Sequence, residues 1–140
     1  MTRRSRGREV ALQLLFQRDH NPVVDRAAIE KFARDRLRHP ELVEFCLGLY
    51  DGAVTHLEEI DTRLTAAADN WRLTRMTTVD RNVLRMGAFE LLHTPDTAAA
   101  VALDEAIELA RRYGTADSSA FVNGVLDRLR REAAPETKEN

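Results

Sequence analysis

Three stretches of this chain carry residue types suited to holding an unpaired nucleic-acid strand. Asp117-Ser118-Ser119-Ala120-Phe121-Val122-Asn123-Gly124-Val125-Leu126-Asp127 opens a helix with a large aromatic and an amide in its first turns. Free N–H groups and the positive end of the helix dipole gather there. An aromatic stacks a base, and such donors meet its edges and phosphates. Phe121 and Asn123 are therefore candidate contacts. Phe121 also lies at the margin of the inward stripe Val122, Val125, Leu126 and Leu129, so core packing competes with stacking. Gly124 in a helix interior costs about 1 kcal/mol relative to Ala. Close approach of another helix, or of a nucleic-acid backbone, would explain it.

Arg81 and Arg85, in Val79-Asp80-Arg81-Asn82-Val83-Leu84-Arg85-Met86-Gly87, are one helical turn apart and can hold neighbouring phosphates. Pairing with acidic neighbours such as Asp80 or Glu108 is the competing assignment. Arg3, Arg4, Arg6 and Arg8 crowd the start of the first helix, where the dipole disfavours each cation by about 0.3–1 kcal/mol. That placement suggests an outside anion; a solvated, flexible basic arm is the alternative. Four arginines neutralising phosphates on a single strand would give a salt slope of about −2.8.

Nothing in the inventory supports catalysis. His20, His39, His56 and His93 are scattered without metal spacing, and Cys46 has no partner. No phosphate-cradling Gly loop and no nucleotide fingerprint is present. Asp80 is assigned to capping, since a lone carboxylate is weak ground for acid–base chemistry. The expectation is a non-enzyme with no metal and no cofactor.

The elements that must position these residues are helical. The 140 residues, 44% hydrophobic with four Pro and six Gly, suit a single domain or two small lobes. Of 21 basic residues all but Lys31 and Lys138 are arginine, the better residue for forked phosphate contacts, although a GC-rich coding bias gives the same excess. The net charge of −2 is uneven, basic at the start and acidic at the end. Cys46 in an apolar run reads as a buried, inert thiol in a reducing cytosol. No run reaches the roughly 20 apolar residues of a membrane span.

Periodicity predicts a helix over about Ser5 to Asp19, with Val10, Ala11, Leu14 and Leu15 inward and Leu12 and Phe16 widening the stripe. A short helix follows Asp25 as N-cap and ends at His39-Pro40. A long helix then runs from Leu42 to Leu64, breaking near Asp61-Thr62, with a short helix over Ala66 to Trp71. Thr77 caps the next helix, which is apolar nearly all round and hence central. Ala99 to Tyr113 form another, closed by Gly114 in a left-handed conformation. The last runs from Phe121 to about Arg131, and 133–140 reads as a disordered tail.

With these segments in view, and with Val101-Ala102-Leu103-Asp104-Glu105-Ala106-Ile107-Glu108-Leu109-Ala110-Arg111-Arg112-Tyr113-Gly114, the chain resembles the NusB family of bacterial transcription antitermination factors. The likeness covers nearly the whole length, is moderate at Arg8-Glu9-Val10-Ala11-Leu12-Gln13 and is strong over the three C-terminal segments. It implies an all-α fold of about seven helices in two small bundles packed at an angle, a lobe over about 5–58 and another over about 59–132. It also implies binding of single-stranded boxA-type RNA of ribosomal RNA leaders. The implied partners are the ribosomal protein NusE and the RNA polymerase antitermination complex, in the cytoplasm. Phe16 matches an aromatic position the family uses at its RNA surface. Leu103-Asp104 stands where Ile-Asn is usual, and Ser119-Ala120 replaces positions often basic in relatives. The competing expectation is a homodimeric interaction module with a masked or weak RNA surface, using the apolar excess of the first and fifth helices. A helical domain of the kind attached to ribosomal RNA cytosine methyltransferases is a third.

Overall fold

The computed structural model describes residues 2–69 and 71–133. Among them are seven α-helices and no strand: α1 (Arg3–His20), α2 (Arg26–Leu37), α3 (Pro40–Thr55), α4 (Leu57–Ala67), α5 (Thr78–His93), α6 (Ala99–Tyr113) and α7 (Ser118–Ala133). A 3-10 turn, Leu73–Arg75, precedes α5. The helices group into two units, Met1–Thr55 and His56–Asn140. Of the tail expected over 133–140, Ala133 closes α7 and residues 134–140 lie outside the described residues.

In the first unit α1 packs on α2 and α3, and α2 on α3. Thr2 caps α1, its hydroxyl accepting the Ser5 N–H at 3.0 Å, so the helix begins at Arg3 and takes in all four arginines. They are the first turns of a capped helix, not an arm before it. Val10, Ala11, Leu14 and Leu15 are buried as the stripe requires. Asp25 stands at the N-cap of α2 but makes no side-chain cap bond. Arg38 closes α2 with φ 62°, and Pro40 starts α3 in the position where a missing N–H costs nothing. The forked pair of Arg26 on Asp51, at 2.6 and 2.9 Å, ties α2 to α3. Cys46 is buried, and burial above all pushes its thiol up to about 12.

The second unit is arranged around α5, which packs on α4, α6 and α7. Thr77 caps it, accepting the Asp80 N–H at 3.1 Å. Gly87 lets α7 come close: a Cβ there would stand 2.7 Å from Leu126 Cδ1. Arg128 of α7 donates to the carbonyl of Ala67 at 2.9 Å and to Asp69 at 2.6 Å, satisfying an orphan carbonyl at the end of α4. No helix among the described residues is long and apolar enough to cross a membrane.

Three sequence expectations are corrected by the fold. The long helix breaks at His56, with φ −100° and ψ 19°, and not near Asp61-Thr62. The single apolar stripe serves two cores: α3 faces α1 and α2, while α4 turns Ile60, Leu64 and Ala67 inward beside α5 and α7. The separate helix expected over Ala66 to Trp71 is not found among the described residues; Ala66 and Ala67 close α4, and Asp69 turns the chain with φ 56°. Gly114 is extended, with φ −95° and ψ −161°, and not left-handed. Its reason is crowding, because a Cβ would run into Ser118 Oγ and lie 2.7 Å from the Ala110 carbonyl oxygen. Of the apolar excess of α1 and α5, Val10, Leu14, Leu15, Val83, Leu84 and Met86 are buried in the single chain, while Phe16 stays exposed.

Candidate nucleic-acid interface

The first unit presents its arginines unequally. Phe45 of α3 lies against α1 where Gly7 has no side chain; a Cβ there would meet the ring at 2.9 Å. The Arg4 guanidinium sits 4.5 Å from the centroid of this ring and that of Arg8 5.2 Å. Residues 4, 7 and 8 share a helix face, which brings both guanidinium groups to one aromatic. Arg8 is only 3% exposed. It is a packing residue of this unit and not part of a solvated arm, because the same spacing that aligns it with Arg4 turns it inward. Arg6 pairs with Glu9, itself buried. Arg3 makes a loose exposed contact of 3.6 Å with Glu41. Arg3 and Arg4 are thus the exposed cations of the group. Phe16, expected to widen the buried stripe, is 37% exposed, with its ring 4.6 Å from that of His20.

In the second unit the Arg81 and Arg85 pair is committed inward. Arg85 grips Asp61 with two prongs of 2.9 Å and donates to Asn82 at 3.3 Å. Its side chain is 11% exposed. Arg81 donates to the carbonyls of Leu73 and Met76 at 3.2 and 3.5 Å, closing the 3-10 turn onto α5. Internal pairing therefore prevails, although the acid is Asp61 of α4 and neither Asp80 nor Glu108. A partner distant in sequence was invisible to helical spacing.

Phe121 is half-buried and meets Trp71 edge-on, ring centroids 5.4 Å apart at 65°. Trp71 is half exposed. The two rings border a depression of about 250 Å³ lined also by Ala67, Gly124 and Arg128. A Cβ on Gly124 would meet nothing within 4 Å. Close approach of another helix of this chain is therefore not its reason, and the helix backbone lies open beside the rings. Asn123 is exposed but does not join them. Two residues of α-helix turn the side-chain direction through about 200°, which puts Asn123 on nearly the opposite side of α7 from Phe121.

Trp71 and Arg128 were missed by sequence reasoning, and both left a signal. Trp71 is the chain's sole tryptophan and falls outside every apolar stripe. Arg128 follows Phe121 by seven residues, two helical turns, and so shares its face. The ledge can stack an unpaired base on either ring, with a guanidinium beside it for the backbone.

Comparison with known proteins agrees over the whole molecule. The family model described as the NusB family matches residues 5–131. A transcription antitermination protein NusB of Sorangium cellulosum is 46% identical over 129 residues, covering 92% of each chain. NusB of T. maritima superposes with a TM-score of 0.84 at 37% identity, covering 99% of this chain and 97% of that one. A chain from a crystal structure of antitermination factors NusB and NusE in complex with dsRNA superposes with a TM-score of 0.84 at 25% identity, covering 94% and 98%.

Proposed function

The chain belongs to the NusB family, and from that membership we propose that it acts in transcription antitermination, binding RNA together with the ribosomal protein NusE. Its work is to hold a boxA-type RNA element for the RNA polymerase antitermination complex, in the cytoplasm. It performs no chemistry of its own.

The observation that carries the RNA assignment is the ledge of Trp71 and Phe121 over the bare backbone of Gly124, flanked by Arg128. Two rings set edge to edge beside a bare stretch of helix backbone and a guanidinium are the parts of a stacking platform, and stacking on rings demands bases that are not paired. Arg3 and Arg4 of the first unit supply phosphate contacts, and Phe16 a further exposed ring. Arg8 and Arg85 contribute by fixing the helices and not by touching RNA. Asn123 serves a separate contact on the far side of α7.

Trp71 provides its own test, because no other tryptophan contributes to the fluorescence. Titration with an unlabelled single-stranded RNA carrying a boxA-type element should quench it saturably, and an RNA duplex of the same sequence should quench it less. An unchanged signal at saturation by an independent binding assay removes the ledge from the interface. Capture of purified NusE, strengthened by the RNA, tests the partner; no capture under either condition defeats the antitermination assignment.

A further inference from the structure

The fold gathers His56, Glu59 and His93, which the sequence keeps up to 37 positions apart, into one cluster in the second unit. His56 stands at the break before α4, Glu59 lies in the first turn of α4, and His93 is the last residue of α5. Glu59 Oε1 is 2.9 Å from His93 Nε2 and 3.6 Å from His56 Nδ1. The two imidazoles stack at 3.9 Å between centroids and 16° between planes, and the Phe89 ring lies behind them, 5.8 Å from His93 and 6.0 Å from His56.

We propose that His56, Glu59 and His93 form a binding site for a zinc-class divalent metal ion. Two imidazole nitrogens and a carboxylate oxygen are the donor set of a three-ligand zinc site whose fourth position is left to water. Ligand atoms at about 2.0–2.1 Å from a tetrahedral metal stand about 3.4 Å apart. Here the donor atoms lie within 4.8 Å of one another, with two of the separations 2.9 and 3.6 Å. The rings need only hinge apart to aim both lone pairs at one point. Side-chain exposures of 39% for His56 and 25% for His93 leave room for that movement. Glu59, 46% exposed, opens the remaining position to solvent.

Two features separate this cluster from a chance surface grouping. The two rings also lie against Phe89, so the donor nitrogens stand over an apolar backing before an ion arrives. One carboxylate oxygen faces two imidazole nitrogens at once, and a single dication would satisfy all three. An ion bound there joins the start of α4 to the end of α5. The site is independent of the RNA ledge and stands or falls separately from the antitermination assignment.

Calorimetric titration of the chelator-treated full-length protein with zinc chloride near neutral pH should show one saturable equivalent. Glu59→Gln and His93→Gln should each weaken it by at least about tenfold, while His39→Gln, a histidine in the other unit, should leave it unchanged. Cobalt(II) chloride provides a readout that does not depend on unfolding: the wild type should develop the visible absorption of a four-coordinate site, and the two variants, with native circular dichroism, should not. Absence of saturable zinc binding overturns the proposal. So does binding that survives both substitutions.

Discussion

Arg85 reaches from α5 to Asp61 on α4 and holds it with two parallel contacts of 2.9 Å. The relationship accounts for two departures from the sequence expectation. Asp61 lies inside a continuous helix with its carboxylate held by Arg85, and the Arg85 guanidinium is turned to a partner within the chain. Removing the cation strands the acid in a site where Asp61 is 28% exposed. Arg85→Ala should destabilise the protein by about 1–3 kcal/mol, less than the about 3–5 of a fully buried pair, because water still reaches Asp61. Urea denaturation measures it. RNA affinity should hold within about twofold; a large loss of affinity with unchanged stability would make Arg85 an RNA contact.

Phe121→Ala and Trp71→Ala each remove one ring of the ledge. Base stacking is worth about 1–3 kcal/mol per base, so each variant should bind single-stranded RNA at least about fivefold more weakly. Anisotropy with a labelled RNA at fixed salt reads this directly. Equal affinities for both variants and the wild type would remove the ledge from the binding surface.

Gly87 and Gly124 should respond in opposite directions to Ala. At Gly87 the new Cβ would press on Leu126, which is itself fully buried, and overpacking should cost about 1–3 kcal/mol. At Gly124 nothing lies within 4 Å, and the gain in helix propensity should stabilise by up to about 1 kcal/mol. If the RNA backbone approaches this surface, Gly124→Ala will be both more stable and weaker in binding. Thermal melts paired with the anisotropy assay separate the two effects.

The salt response should be shallower than four arginines imply. With Arg8 buried and Arg6 paired to the buried Glu9, the exposed cations of α1 are Arg3 and Arg4; Arg128, whose partner Asp69 is 84% exposed, can exchange that surface carboxylate for a phosphate and adds one beside the ledge. Three phosphate contacts on a single strand give a slope of about −2, an affinity loss of about 20-fold between 50 and 200 mM salt. A slope near zero would exclude these arginines from the interface.

Cys46 should be silent in the native state. Burial, with a smaller push from Asp51, raises its thiol from the ordinary 9.0 to about 12. The folded state therefore keeps its proton where the unfolded chain loses it. The contribution is fully present below pH 9 and is lost as pH climbs from 9 towards 12, since the unfolded state then binds fewer protons. A thiol reagent at pH 8 should modify the unfolded chain readily and the native chain only as fast as it opens. Rapid reaction of the native protein would contradict the burial.

Much of the helical architecture was readable along the chain. Pro40, Thr77 and the apolar patterns of α1, α5 and α7 mark their elements because caps and 3.6-residue periodicity act over a few neighbouring residues. The break at His56 was not readable. Apolar spacing continues straight through it, and only the two different cores that α3 and α4 serve make it necessary.

The candidate surface divides along the same line. That the chain carries Phe16 and Phe121 in helices of a NusB-like pattern, with Arg3 and Arg4 near the start of the first, follows from the sequence. Which of its arginines meet solvent does not: Arg8 on Phe45, Arg81 on the Leu73 and Met76 carbonyls and Arg85 on Asp61 are all decided by groups at other places in the chain. The pairing of Trp71 with Phe121, and of His56 with His93, belongs to the same class. Periodicity reports the face of a helix on which a side chain emerges. What waits on that face is settled by tertiary packing, which brings residues distant in sequence within reach of one another.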